Sequence, residues 1–321
     1  MIRWCLFLAM LAGVVGFAIL VLANGFGEIE GGVAMVGFGL VALVVVRLIA
    51  LSLAGLAWSR LRGGMPARPA VLYVGLRIVR EAINCMLPVA QVGGDLIGAR
   101  LLARTGVPGG LAGASILLDL LLQVATQAIF AFLGLAALWW AFGDTESVHN
   151  LGVALAFAMP ALVGFLLAQR IGVFALVDRA ARLWPGLTGT GRLDLQPALD
   201  LLHRDRRSLL TAAALHLVGW SVGVIEIWIV LTKMGLHPSS AECLVIESLG
   251  QAARSAGFVV PAAIGIQEGG FVLLGALFGL SPPTAIALSI AKRLPDFAIG
   301  LPGLAAWQVL EMPRAAQESS T

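Results

Sequence analysis

Ten ionisable side chains stand within stretches that are otherwise apolar: Arg80, Glu81, Asp95, Asp119, Glu247, Arg254, Glu268, Lys292, Arg293 and Asp296. A charge at the centre of a bilayer costs roughly 2.5–3.5 kcal/mol on insertion scales. Ten unpaired charges would therefore cost on the order of 25–35 kcal/mol, more than the ~5–15 kcal/mol of net stability a domain has. They must be paired, neutralised or hydrated, and a partly wet cavity holding both signs of charge is expected. Guanidinium is planar and always charged. Arg80 and Arg254 therefore suit a clamp on a phosphate or carboxylate, the alternative being structural ion pairs such as Arg80 with Asp95 or Arg254 with Glu268. Asp95 and Glu268 suit proton or cation coupling, or else hairpin capping and ion pairing. The substrate-binding candidates are Arg80, Asn84, Gln91, Arg254, Gln267, Lys292 and Arg293, and the coupling candidates are Glu81, Asp95, Asp119, Glu247, Glu268 and Asp296. Arg47 is expected to snorkel, Glu226 to lie at an interface, and the four histidines to be isolated. No metal or cofactor is expected. Patterns such as HExxH, GxGxxG or a P-loop do not occur.

The surrounding sequence explains why these charges matter. Of 321 residues 59% are hydrophobic and 12% charged, against roughly 25% charged in an ordinary soluble domain. Mean hydropathy is +0.95. A soluble fold of this length cannot hide so much apolar surface. The composition excludes a soluble enzyme, a nucleic-acid binder and a disordered chain. Long continuous runs, in place of short alternating segments, point to an all-α polytopic membrane protein and away from a β-barrel. The three cysteines, Cys5, Cys85 and Cys243, form no CxxC pair and are expected to be packed thiols.

Six runs are long enough to span ~30 Å of hydrocarbon: residues 4–23, 31–57, 111–140, 151–169, 208–231 and 284–310. The first is read as a span and not as a cleavable signal peptide. Two further apolar regions, 71–103 and 241–280, are interrupted by Pro and Gly near their middles. If each is a re-entrant hairpin, both termini share one face. That face then carries fourteen basic residues, including Arg60, Arg62, Arg68, Arg100 and Arg104, while the opposite face carries Lys233 alone. The asymmetry makes both termini cytoplasmic. Trp4, Trp58, Trp139, Trp140 and Trp307 suit an interfacial belt, whereas Trp220 and Trp228 suit core packing. Residues 173–207 read as an amphipathic cytoplasmic linker with a second short surface helix over 195–207.

The two broken regions resemble each other. Aligning Pro88 with Pro261 places Asp95 opposite Glu268, Glu81 opposite Arg254 and Asp119 opposite Lys292. The expected organisation is one integral membrane domain made of two inverted repeats. Residues 1–142 hold the first hairpin (71–104) and residues 151–311 the second (241–280). Inverted repeats with broken helices mark many transporters, with the site at the repeat interface. Pro88, Gly93, Gly94, Pro261 and Gly265 are the expected breaks. Backbone groups freed there cannot face lipid and must line a cavity or be buried in protein.

Three segments carry a resemblance: Arg80–Gly94 (REAINCMLPVAQVGG), Gly250–Phe278 (GQAARSAGFVVPAAIGIQEGGFVLLGALF) and Ala291–Trp307 with Lys292-Arg293 and Gly300-Leu-Pro-Gly303. Through them the chain resembles the lysylphosphatidylglycerol synthase transmembrane-domain family of flippase-like membrane proteins, and within it the HpnL-type proteins associated with hopanoid biosynthesis. The resemblance implies a lipid-handling domain of a bacterial inner membrane, with membrane lipids and hopanoid-synthesis enzymes as partners and no nucleic acid. It does not imply lysyl transfer, which in that family belongs to an added soluble domain. The leading expectation is a lipid flippase whose polar cavity takes the headgroup of a hopanoid or anionic phospholipid. The alternatives are a membrane-embedded lipid-modifying enzyme using Asp95 and Glu268 as acid and base, or a non-catalytic partner of a lipid-synthesis complex.

Overall fold

The computed structural model describes residues 15–87, 93–143, 195–256 and 263–311, with the isolated positions 146, 149 and 153. Helix is the regular secondary structure of the described residues, as the composition requires. In chain order the helices are α1 (Val15–Ala23), α2 (Phe26–Val36), α3 (Gly39–Arg60), α4 (Ala70–Met86), α5 (Gly93–Arg104), α6 (Gly109–Phe142), α7 (Leu195–His203), α8 (Arg206–Lys233), α9 (Ser240–Ala256), α10 (Ile266–Leu277) and α11 (Pro282–Glu311). The expected span at 151–169 and most of the linker lie outside the described residues.

Among the described residues three helices are long and apolar enough to cross a membrane: α3, α6 and α8. A fourth crossing is possible where α1 and α2 meet at 94°. The expected span 31–57 is split, because Gly37 adopts a positive φ of 48° that side chains with a Cβ resist. The continuous helix therefore starts at Gly39. Residues 284–310 do form one helix, α11, of 30 residues, but its middle carries Lys292, Arg293 and Asp296 together with Pro295.

α3 and α8 pack along each other at the centre. α4 leans on α3 and α11, and α9 leans on α8 and α6. Close approach is built in with small residues. A Cβ on Gly55 of α3 would lie 2.5 Å from Val74 Cα of α4. A Cβ on Gly303 of α11 would lie 2.6 Å from Ala82 Cβ, and one on Gly134 of α6 would collide with Ser248 of α9. The small-residue run 31–39 works inside the subunit, with Gly32 facing Ala287 of α11. α7 is more than a surface helix. Its Leu195, Ala198, Leu199 and Leu202 are buried against Ala57, Leu61, Ala114 and Leu118, which plugs the ends of α3 and α6. α8 follows at once, its amide nitrogens capped by Asp205, which accepts from Ser208 N at 3.1 Å and Ser208 Oγ at 2.7 Å.

Three aromatic expectations are corrected. Trp58 is wholly buried, edge-on to Tyr73 at 5.2 Å between centroids, so it belongs to the core. Trp228 is 51% exposed on the outside of α8. Trp220 is half-buried at the cavity, where its Nε1 donates to Thr126 Oγ1 at 3.2 Å. Trp139 and Trp140 do face outward at the end of α6.

Candidate functional site

The intramembrane charges collect into three groups, each tied to the helices that carry it. α4 is amphipathic with an unusual buried face: Tyr73, Leu76, Val79, Arg80 and Ile83 share one side at helical spacing. Arg80 is fully buried. Its Nε and Nη2 donate to Asp95 Oδ1 at 2.9 and 2.6 Å, and its Nη1 donates to Asp119 Oδ2 at 2.9 Å. The guanidinium carbon also sits 4.8 Å from the Trp58 ring centroid, a cation–π contact. Asp95 reaches Arg80 because it stands in the first turn of α5, where the helix dipole favours a carboxylate. Gly94 lets α5 approach α4, and its N–H donates to Asn84 Oδ1 at 2.8 Å. Asp119 Oδ1 lies 2.9 Å from His216 Nε2 on α8, and Gln123 Nε2 donates to Asp119 Oδ2 at 2.9 Å. The histidine is therefore not isolated.

A second group ties α3, α8, α9, α11 and α4 together. Arg47 forks onto Glu226 with two hydrogen bonds of 2.9 Å and reaches Asp296 at 3.1 Å. Lys292 Nζ bridges Glu226 at 2.8 Å and Glu247 at 2.6 Å. Arg254 lies 3.5 Å from Asp296 and donates to Cys85 Sγ at 3.9 Å. Cys85 in turn faces Glu81 Oε1 at 3.3 Å, and Arg77 pairs with Glu81 at 3.2 Å. Two expectations fail here. Glu226 is buried and doubly paired, since α8 lies along α3 and brings it level with Arg47. Arg47 does not snorkel, because its partners are inside the bundle. Cys85 is half-buried on a cavity wall, and Cys243 is packed.

The third group closes the start of α10. Glu268 Oε2 accepts from Gly265 N at 2.7 Å, and Oε1 accepts from Arg293 Nε at 2.7 Å and Ser289 Oγ at 3.2 Å. Gln267 donates to Ser289 Oγ at 2.9 Å. Glu268 thus caps the helix and pairs with Arg293, while Arg254 turns to Asp296. Gly265 itself takes a positive φ of 83°, which its lack of a Cβ permits. Gln91, Pro88 and Pro261 lie outside the described residues, and Gly93 opens α5.

A cavity of about 260 Å³ opens between these groups. α3, α4, α5, α6, α8 and α9 form its walls, with Arg47, Arg77, Glu81, Gln127, Gln251 and Arg254 among the lining side chains. Asn84, Asp95, Gln123, His216 and Glu247 line it too. Arg80, Gln267, Glu268, Lys292 and Arg293 do not line it. Of the arginines expected to clamp a ligand, the structure brings Arg254 to the cavity and locks Arg80 behind Asp95 and Asp119. Sequence reasoning passed over Arg77, Gln123, Gln127, Gln251 and His216. One signal was available: Gln123 and Gln127 stand at i+4 and i+8 from Asp119, on the same face of an otherwise apolar helix.

No curated protein and no solved structure matches the chain. The family model described as the lysylphosphatidylglycerol synthase TM region matches residues 6–303. That match and the apolar helices α3, α6 and α8 agree on a multi-pass membrane protein concerned with lipids. The chain belongs to the lysylphosphatidylglycerol synthase transmembrane-region family.

Proposed function

We propose that the protein is a lipid flippase that passes a headgroup through the polar cavity while the acyl or polycyclic portion stays in lipid. The observation that carries this reading is the cavity itself. It is a hydrated-size space of about 260 Å³ walled by charged and amide side chains inside a bundle whose outer faces are apolar. Intramembrane polar cavities of this kind mark substrate pathways. The lipid is a hopanoid or an anionic phospholipid, in keeping with the HpnL-type resemblance. Both termini lie on the cytoplasmic side of a bacterial inner membrane, in keeping with the arginine asymmetry of the loops.

The repeat organisation supports the same reading. α4, α5 and α6 have 17, 12 and 34 residues, and α9, α10 and α11 have 17, 12 and 30. α4 packs on the long helix of the second set, and α9 packs on the long helix of the first. Two interlocked repeats, each with a broken helix pair acting as a re-entrant hairpin, would let one half rock against the other around a central site.

The test is translocation of headgroup-labelled lipids in proteoliposomes, comparing a hopanoid with an anionic phospholipid, with and without a proton gradient. Arg254→Gln is expected to slow movement about tenfold or more, the effect of losing one charge-assisted contact worth ~1.5–3 kcal/mol. Asp95→Asn and Glu268→Gln are expected to lower movement together with thermal stability, because both carboxylates hold arginines. No protein-dependent movement of either lipid under any condition would overturn the flippase reading. A labelled lipid recovered with altered mass would favour the lipid-modifying enzyme instead.

A further inference from the structure

Among the described residues the buried charges balance everywhere except around His216. In the second group Arg47, Arg77, Arg254 and Lys292 face Glu81, Glu226, Glu247 and Asp296, four cations against four carboxylates. In the third group Arg293 faces Glu268. In the first, Arg80 alone faces two carboxylates, Asp95 and Asp119. That group carries one net negative charge when His216 is neutral and none when it is protonated. A net charge buried in a low-dielectric interior is costly, whereas a balanced cluster is tolerated.

The geometry says where a balancing proton would sit. Asp95 accepts two bonds from Arg80 and stands in the first turn of α5, away from His216. Asp119 spends Oδ2 on Arg80 and Gln123, leaving Oδ1 aimed at His216 Nε2 at 2.9 Å. A proton on either member of that contact lies in the same short hydrogen bond. Imidazole is also the side chain whose unperturbed titration falls between about pH 5 and 8. His216 lines the cavity, so a proton has a route to it.

We propose that His216, bonded to Asp119 on the cavity wall, is a proton-binding site that couples proton movement to the transport reaction. The proposal rests on the flippase reading for its coupling half and on charge balance for its proton site. The charged groups on the elements packed against α8 are Arg47 and Arg60 on α3, Asp119 on α6, Glu242, Glu247 and Arg254 on α9, and Lys292, Arg293, Asp296 and Glu311 on α11. Arg77 and Arg80 on α4 and Asp95 on α5 act across Asp119. Glu28 and Glu30 are exposed on α2, which meets α8 where Gly32 lies beside Met234, about 27 Å along the helix from His216. Glu226 and Arg207 on α8 itself lie roughly 15 Å away in opposite directions.

Two arms separate the proton site from the transport reading. In detergent, His216→Gln leaves the negative charge unbalanced, and the unfolding temperature is expected to fall by about 5–10 °C. Asp119→Asn added to His216→Gln restores neutrality, with Arg80 facing Asp95 alone, and most of that loss is expected to return. Nitrogen-15 NMR of histidine-labelled protein at pH 7, assigned by the signal missing from the double variant, is expected to show His216 with both ring nitrogens protonated. A neutral ring, or a single variant as stable as the double, would overturn the proton site whether or not the protein moves lipid. In proteoliposomes the wild type is expected to respond to an imposed pH gradient, and the folded double variant is expected to lose that response. A protonated His216 alongside lipid movement indifferent to the gradient would overturn the coupling. Wild-type protein that moves no lipid would overturn the coupling together with the flippase reading, and leave the NMR and stability arms to decide the proton site.

Discussion

Lys292→Met is expected to destabilise the folded protein by about 3–5 kcal/mol, the usual consequence of removing one member of a buried ion pair. Lys292 is 3% exposed and bridges two carboxylates that are each 2% exposed. Glu226 keeps its two hydrogen bonds from Arg47 when the lysine is gone. Glu247 keeps only the amide of Gln251, at 3.0 Å. The damage therefore localises to Glu247, and Lys292→Met combined with Glu247→Gln is expected to recover most of the stability. Thermal unfolding of the detergent-solubilised variants, followed by size-exclusion recovery after heating, measures both. A single variant as stable as the double would mean that Glu247 is not held as a buried carboxylate by Lys292. The pair links the middle of α11 to α9, so its loss is also expected to loosen the cavity wall that carries Arg254.

Gly94→Ala is the second large effect. A Cβ at this position would collide with the main-chain carbonyl of Arg80 and lie 2.8 Å from Asn84 Oδ1. The obstacle is helix backbone, which cannot rotate aside as a side chain does. α5 would have to move off α4, carrying Asp95 away from Arg80 and breaking the Gly94–Asn84 hydrogen bond. Overpacking in a close-packed interior costs typically ~1–3 kcal/mol, and the added loss of a fully buried ion pair places this substitution at about 3 kcal/mol or more. Gly269→Ala is the matched control. It sits in the short helix of the other pair, α10, with nothing within 4 Å of its added Cβ. There alanine is expected to be neutral or to stabilise by about 0.5–1 kcal/mol through helix propensity. Equal melting temperatures for Gly94→Ala and wild type would show that α4 and α5 do not touch at this point.

Much of the site was legible before any coordinates, because its signal is local. A charged residue in an apolar run stands out wherever the run folds, so Arg80, Asp95, Asp119, Glu247, Arg254, Lys292 and Asp296 could be singled out. The pairing of Arg80 with Asp95 was within reach, since only 15 residues and one break separate them. The remaining partners were not legible. Arg47 meets Glu226 across 179 residues and Lys292 meets Glu247 across 45. Arg254 was weighed against Glu268 and pairs with Asp296 instead, since Glu268 is already spent on the α10 cap and on Arg293. His216 was set aside as isolated because nothing within its own helix turn answers it. Its partner is on α6, 97 residues away.

Composition and hydropathy by themselves determined that this chain is a helical membrane protein, because apolar runs of this length can satisfy their backbone in lipid only as helices. Sequence alone also determined that the intramembrane charges must be paired, neutralised or kept wet in a cavity, since hydrocarbon itself supplies no water. The tertiary structure decided which partners they find and which polar groups surround the cavity. That choice depends on how α3 lies along α8, how α4 leans on α11 and α9 on α6, and where glycines allow contact. Those are contacts between surfaces far apart in the chain, and no local pattern encodes the rotation and offset at which two helices meet.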